Sequence, residues 1–233
     1  NRLFRGLAPL VYYLPGRLLH TNVIGSALFA AVSGSSAATT ATVGKITTTE
    51  LLKRNYSKSL AFGSLAGAGS LGLLIPPSIV LIVYGVLAEV SISRLFAAGV
   101  YPGILIACLY SGYIMLRCSL NPSLAPTTEK KPSIKDIIIG LLNLIPITVL
   151  IVIVLGSIYS GIATPSEAAA VGVLATLVLT VLTNQLSINV FFDSLISAVR
   201  TSCMIASILL AAAFLSTSTV SYTHLTLPTR LSV

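Results

Sequence analysis

The stretch FAAVSGSSAATTATVG, which occupies Phe29 to Gly44, is apolar at its ends and carries small polar residues at its centre. About 27 residues separate the flanking basic residues Arg17 and Lys45, and they would extend about 40 Å as one helix. One membrane crossing needs about 20 helical residues, so two full crossings do not fit. We therefore predict a re-entrant hairpin over residues 18–44 that enters and leaves by one membrane face, with its turn at Ser33, Gly34, Ser35 and Ser36.

The turn of this hairpin would lie at membrane depth. Non-helical backbone is stable there only where protein surrounds it or where it lines a cavity. Carbonyl and hydroxyl groups in such a turn form a natural binding site for a small ion. The alternative interpretation is one continuous helix with a kink at the serines, since Ser and Thr are common in membrane helices.

The composition indicates a helical integral membrane protein. Hydrophobic residues make up 55% of the chain and charged residues only 9%, with a mean hydropathy of +0.97. Several apolar runs approach the length of a membrane span. The net charge of +8 comes from Lys and Arg residues at the ends of these runs, where they set topology and contact lipid headgroups. We therefore expect the lipid bilayer as a partner, and no nucleic acid.

A second irregular segment is predicted within the apolar run Leu60 to Leu87. Pro76 and Pro77 interrupt this run, and each proline lacks a backbone donor and clashes with the preceding helical turn. The pair should break the helix and free carbonyl groups at membrane depth. Small residues let helices approach closely, so we expect the hairpin to pack on the glycine face before the break, formed by Gly63, Gly67, Gly69 and Gly72.

Two broken elements of this kind are typical of secondary transporters. Their carbonyl and hydroxyl oxygens suit Na⁺ as a coupling ion, because hard cations take oxygen ligands, and the helix N-termini at the breaks suit an anionic substrate. The predicted Na⁺ site comprises Ser33, Gly34, Ser35, Ser36, Pro76, Pro77 and Ser78. The candidate residues for the substrate cavity are Ser36, Thr39 and Ser78. A channel-like or structural anchoring membrane subunit is the alternative, since re-entrant loops also build selectivity filters.

The sequence lacks the residue patterns that are typical of enzymes. No His and Glu pair has the spacing of a zinc site, and the serines lack a plausible base apart from His20 at the mouth of the hairpin. Thr164, Pro165 and Glu167 have the pattern of a helix start, with Thr as N-cap and Glu three residues later. We interpret Glu167 as a structural cap and predict neither an enzyme nor a transition-metal site.

The order of apolar and basic stretches divides the chain into six segments. Loops rich in Lys and Arg stay in the cytoplasm, which assigns both basic loops to that face. The segments are an amphipathic or interfacial stretch (1–17), the hairpin (18–44), a cytoplasmic loop with the proline-broken helix and a further transmembrane helix (45–117), a second cytoplasmic loop (118–135), transmembrane helices with a short interfacial stretch at Gln185 to Ser197 (136–220), and a tail that resembles adapter-derived, non-native sequence (221–233).

Four blocks in this order resemble the large membrane subunit, of DctM type, of the tripartite ATP-independent periplasmic (TRAP) transporters. Together they cover most of the chain from Leu18 to Leu215. The blocks are FAAVSGSSAATTATVG, GLLIPPSIVLIVYG from Gly72, LFAAGVYPG from Leu95 and GIATPSEAAAVGV from Gly161.

The resemblance implies an elevator-type symporter in a bacterial inner membrane, driven by a Na⁺ gradient. A periplasmic binding protein would deliver a carboxylate or other organic acid to a pair formed by this subunit and a small membrane subunit. The resemblance also implies that Ser33 to Ser36 and Pro76 to Ser78 flank the first cation site. The family's initial helices, second hairpin and second broken helix have no counterpart here, and Arg17 replaces a usual Gly. We therefore expect a partial chain, truncated at both ends, that does not transport alone.

Overall fold

The computed structural model describes residues 2–126 and 131–226, with side chains from 3 to 219 within those ranges. Every regular element in the described residues is helical. The α-helices are α1 (Arg2–Val11), α2 (His20–Ser33), α3 (Ser36–Lys53), α4 (Lys58–Gly69), α5 (Leu71–Leu74), α6 (Ile79–Leu87), α7 (Ile92–Leu120), α8 (Ile134–Tyr159), α9 (Pro165–Leu182) and α10 (Ile188–Thr226).

Five segments of the described residues are long and apolar enough to cross a membrane, as judged by length and composition. The prediction of an all-α integral membrane protein is thereby confirmed. Helices α2 and α3 are not among these segments, and a two-residue turn at Gly34 and Ser35 joins them into a hairpin. The five segments are Lys58–Leu87, Ile92–Leu120, Ile134–Tyr159, Pro165–Leu182 and Ile188–Thr219.

The chain divides into two units, residues 1–176 and 177–233. The hydrophobic core of the first unit surrounds the hairpin. Its fully buried members come from α1, α2, α3, α4, α5, α7 and the turn before α2, and they include Leu19, Val23, Leu51, Leu71 and Ile114. One side of the hairpin is therefore covered by protein, and Gly34 at its turn is buried, whereas Val32, Ala38 and Ala41 on the other side are exposed.

Helix α1 packs against α8 through two glycines. A Cβ atom on Gly140 would lie 2.8 Å from the carbonyl oxygen of Gly6, so the two backbones are in direct contact. Phe4, Leu7 and Val11 bury the apolar side of α1, whereas Arg5 is exposed. The first segment is thus an amphipathic helix with a packed face.

The second unit contains the end of α9 and the long helix α10. The stretch Gln185 to Ser197 is not a separate element, because residues from Ile188 onward belong to the same helix as the following apolar run. Its position at the membrane interface stays a prediction. Asp193 lies among exposed apolar residues on this helix. Of the predicted tail, 221–226 continue the backbone of α10, and residues 227–233 lie outside the described part of the chain.

Candidate cation site

The proline-broken segment forms one wall of the candidate site. Helix α5 ends at Leu74 and α6 begins at Ile79, with extended backbone at Ile75 and Ser78 between them. Proline has no N–H group, so the helical hydrogen bonds that residues 76 and 77 would donate are absent. The buried hydroxyl of Ser78 donates to the carbonyl oxygen of Leu73 (2.8 Å), which partly replaces them.

The hairpin turn forms the opposite wall. Gly34 ends α2 in the left-handed region, with φ +60°, and donates its N–H to the carbonyl of Ala30 (2.8 Å). Ser35 is the N-cap of α3, and its hydroxyl accepts from the N–H of Ala38 (3.4 Å). The hydroxyls of Ser33 and Thr39 lie 2.9 Å apart and join the two arms directly below the turn. The turn is therefore defined by a cap and a hydrogen bond between the two arms.

The two walls are in direct contact. The N–H of Ile79 donates to the carbonyl of Gly34 (3.1 Å), so the first residue of α6 bonds to the hairpin turn. On the other side of the turn, a Cβ atom on Gly72 would lie 2.7 Å from the amide nitrogen of Ser36. The turn is thus held between the end of α5 and the start of α6. The structure brings together both halves of the predicted Na⁺ site.

Only part of the predicted glycine face receives the hairpin. Gly69 lies against the side chain of Thr40 and Gly72 against the turn, as expected. Gly67 instead faces the ring of Tyr110 on α7, and a Cβ atom on Gly63 would have no neighbour within 4 Å. The expectation is therefore wrong for these two glycines. Gly69 and Gly72 are the pair nearer the proline break, and only this pair lies against the hairpin.

The candidate substrate residues differ in their surroundings. Thr39 and Ser78 are fully buried and hydrogen-bonded, whereas Ser36 is half-buried and its carbonyl accepts from the hydroxyl of Thr40 (2.9 Å). Ser36 is thus the one of the three with surface still open beside the turn. A role for these residues in substrate binding stays a prediction.

The atoms at this junction are oxygens of hydroxyl and peptide groups. No group of three or more His, Cys, Asp or Glu side chains that could hold a metal ion occurs in the described part of the chain. Neutral oxygen ligands without a carboxylate suit a monovalent hard cation better than a divalent one, which is usually bound with carboxylates. The chemistry of these residues therefore fits Na⁺.

Sequence reasoning missed a polar contact at the start of the first hairpin arm. The side-chain amide of Asn22 is fully buried and donates to the carbonyl of Ala61 (2.9 Å) and to the hydroxyl of Ser64 (2.8 Å) on α4. Ser26, one turn further along α2, is also fully buried. A lone Asn within an apolar hairpin arm was the signal for this contact, because a buried amide needs a partner.

The capping residues lie apart from this junction. At the start of α9, the carboxylate of Glu167 accepts from both the N–H and the hydroxyl of Thr164 (2.8 Å each), and Pro165 is the first helical residue. Ser133 and Asp136 form a reciprocal cap of the same kind at the start of α8. Glu167 therefore has the geometry of a helix cap.

Comparison with known proteins gives a consistent match. The chain matches the family model described as "Tripartite ATP-independent periplasmic transporter, DctM component" over residues 1–232. It is 40% identical to the C4-dicarboxylate TRAP transporter large permease protein DctM of Vibrio cholerae over 175 residues, which are 73% of this chain and 37% of the relative.

Two further relatives are permeases with other substrates in their names. The chain is 35% identical over 211 residues to the sialic acid TRAP transporter large permease protein SiaM of Vibrio cholerae (88% of this chain, 48% of the relative). It is also 35% identical over 182 residues to the ectoine/5-hydroxyectoine TRAP transporter large permease protein UehC of Ruegeria pomeroyi (78% and 42%). The chain spans less than half the length of these curated relatives.

Proposed function

Because the chain belongs to the DctM component family of the tripartite ATP-independent periplasmic transporters, we propose that it forms part of a Na⁺-coupled secondary transporter that imports an organic acid. The family consists of transporters and not enzymes, and the chain is a multi-pass protein of the bacterial inner membrane. In the proposed assembly it pairs with a small membrane subunit, and a periplasmic binding protein delivers the substrate.

The observation that carries the proposal is the contact between the hairpin turn and the proline break. In secondary transporters, ion and substrate sites lie where helices are interrupted near the middle of the bilayer. Here the turn at Gly34 and the break before Ile79 share a hydrogen bond and a set of neutral oxygen atoms. We assign Na⁺ to this junction, with Ser33 to Ser36 and Pro76 to Ser78 as its surroundings.

Two helix N-termini at this junction support an anionic substrate. Helices α3 and α6 begin at Ser36 and Ile79, and the N-terminal end of a helix carries partial positive charge. We place the carboxylate of the substrate near Ser36, Thr39 and Ser78. The names of the three relatives mention C4-dicarboxylate, sialic acid and ectoine, which are different compounds. We therefore propose an organic acid as the substrate and no single compound. Alternating access by an elevator movement belongs to the same proposal.

The proposal is tested with the whole permease reconstituted in vesicles with its small membrane subunit and binding protein. Replacing Na⁺ by choline should abolish uptake of the organic acid, because the cation site would then be empty. Uptake that continues unchanged in choline would contradict Na⁺ coupling. Uptake without the binding protein would contradict the three-part assembly, and a single-channel conductance would favour the channel-like alternative.

A further inference from the structure

A cavity of about 780 Å³ lies between α1, the C-terminal end of α3 and the start of α8. It is separate from the cation site, because Glu50 lies in the last turn of α3 and Arg54 directly follows that helix, at the end opposite the hairpin turn. Three cationic side chains line it, from Arg5, Arg54 and Lys131. A cavity with this lining can receive an anion.

The acidic side chains in the cavity already have partners. The carboxylate of Glu50 lies 3.8 Å from the guanidinium of Arg54, and the carboxylate of Asp136 accepts from the N–H of Ser133 (2.8 Å). Among the residues that the structure describes, Arg5 and Lys131 have no ion-pair partner, and both are exposed. The cavity therefore retains positive charge that its own carboxylates do not neutralise.

The cavity joins the two loops whose basic residues predict a cytoplasmic location. Arg54 comes from the loop after the hairpin and Lys131 from the loop before α8, and the structure brings them to one cavity. The cytoplasmic leaflet holds the anionic phospholipids of a membrane, and basic pockets beside membrane helices bind their headgroups. The position of the cavity thus matches that of lipid phosphate groups.

Apolar side chains in the same cavity distinguish a lipid from a free anion. Phe4, Pro9 and Ile139 line it together with the basic residues. Ile139 is 56% exposed and belongs to an exposed apolar surface of α8 that includes Ile138 and Leu142. A ligand that places a phosphate between Arg5 and Lys131 can therefore lay an acyl chain along α8.

We propose that this cavity binds the phosphate headgroup of an anionic phospholipid. Arg5 and Lys131 contact the phosphate oxygens through charge-assisted hydrogen bonds, and Arg54 adds positive charge from the α3 side. The acyl chains lie on the apolar surface of α8. This site is distinct from the transport site and would fix α1 and α8 to the cytoplasmic leaflet.

The test measures thermal unfolding of the purified membrane subunit in detergent with added phosphatidylglycerol, phosphatidylcholine or inorganic phosphate. A ligand that binds only the folded state raises the unfolding temperature. We expect phosphatidylglycerol to raise it more than phosphatidylcholine does. The double variant Arg5→Gln with Lys131→Gln should weaken the apparent affinity for phosphatidylglycerol at least about tenfold, since two charged contacts are lost. The matched control, Arg94→Gln with Arg200→Gln, removes the same charge elsewhere and should retain the effect.

Equal stabilisation by the two lipids would overturn the proposal, and so would a phosphatidylglycerol effect that survives in the double variant. If inorganic phosphate alone reproduced the rise in unfolding temperature, the cavity would bind a free anion and not a lipid. If the double variant does not fold, native mass spectrometry of the unaltered protein decides. Phosphatidylglycerol retained in preference to phosphatidylcholine supports the site, and no preference contradicts it.

Discussion

Gly34 is the residue on which the hairpin turn depends most directly. Its φ of +60° lies in the left-handed region, which disfavours residues with a Cβ atom, and a Cβ there would lie 2.7 Å from the carbonyl oxygen of Pro77. Strain and steric clash therefore act at the same position. No other residue type fits between the turn and the break without moving one of them.

We predict that Gly34→Ala destabilises the protein by about 1–2 kcal/mol or more and abolishes Na⁺-dependent uptake. The measurement is the unfolding temperature in detergent together with transport in vesicles. Gly63→Ala is the matched control, because a Cβ atom at Gly63 meets no neighbour within 4 Å, and Ala is the better helix former. Equal effects of the two substitutions would contradict the assigned role of Gly34.

The hydroxyls of Ser35 and Ser36 at the turn are possible ligands of the cation. Replacing Ser35 and Ser36 together by Ala should weaken the apparent affinity for Na⁺ by about tenfold, because two possible oxygen ligands are removed. The measurement is the Na⁺ concentration dependence of uptake. Ser91→Ala with Ser93→Ala, at the start of α7, is the control. An unchanged Na⁺ dependence would mean that the hydroxyls of the turn only cap and pack the hairpin.

Asn22 links the first hairpin arm to α4 by hydrogen bonds. Its buried amide donates two hydrogen bonds to that helix, and the hydroxyl of Ser64 also donates to the carbonyl of Ala61, so neither partner is left unpaired when the amide is removed. The expected cost is therefore that of a net hydrogen bond, about 0.5–1.5 kcal/mol. Asn22→Ala should therefore lower the free energy of unfolding by that amount, whereas Asn189→Ala, at an exposed position on α10, should leave it nearly unchanged. Denaturant unfolding in detergent measures both, and a neutral Asn22→Ala would show that the amide contact contributes little.

The helix between α5 and α6 is broken by two adjacent prolines and not by a single one. Pro102 lies within α7 and Pro146 within α8, and both helices continue through their single proline. At Pro76 and Pro77, by contrast, α5 ends at Leu74 and the next helix begins only at Ile79. Two successive residues without N–H groups remove consecutive helical hydrogen bonds, so the backbone cannot close the gap as it does around one proline.

We predict that Pro76→Ala with Pro77→Ala allows α5 and α6 to join and removes the hydrogen bond between Ile79 and Gly34. Na⁺-dependent uptake should fall to background, while Pro146→Ala should leave the Na⁺ dependence unchanged. Uptake assays on both variants make the comparison. Normal Na⁺ dependence in the double variant would show that the break is not part of the cation site.

The two irregular backbone segments of the site are determined by the residues that form them. The Ser-Gly-Ser-Ser turn and the Pro-Pro break were predictable because backbone conformation there depends on the residues themselves. The glycine face was predicted only in part, since all four glycines lie in one apolar run but the hairpin lies only against Gly69 and Gly72. The packing of Gly6 on Gly140 joins residues far apart in the chain, and no periodic pattern marks it.

The composition of the whole chain predicted a helical membrane protein, but it did not predict where every helix begins and ends. The polar and apolar parts of α10 suggested two elements, and the structure has one continuous helix from Ile188 to Thr226. Its Asp193 and Arg200 do not interrupt the backbone, because charged residues change the environment that a helix prefers and not its hydrogen bonding. Hydropathy is therefore a better guide to membrane class than to helix ends.

We predict that the chain enters and leaves the membrane by the same face around Gly34. This topology is tested by thiol labelling of single-cysteine variants, with Cys108, Cys118 and Cys203 replaced by Ser, in right-side-out and inside-out vesicles. Tyr13→Cys and Lys53→Cys, both at exposed positions on either side of the hairpin, should react with a membrane-impermeant reagent from the cytoplasmic side, and Arg94→Cys from the opposite side. Labelling of positions 13 and 53 from opposite sides would contradict the re-entrant hairpin and the cation site built on it.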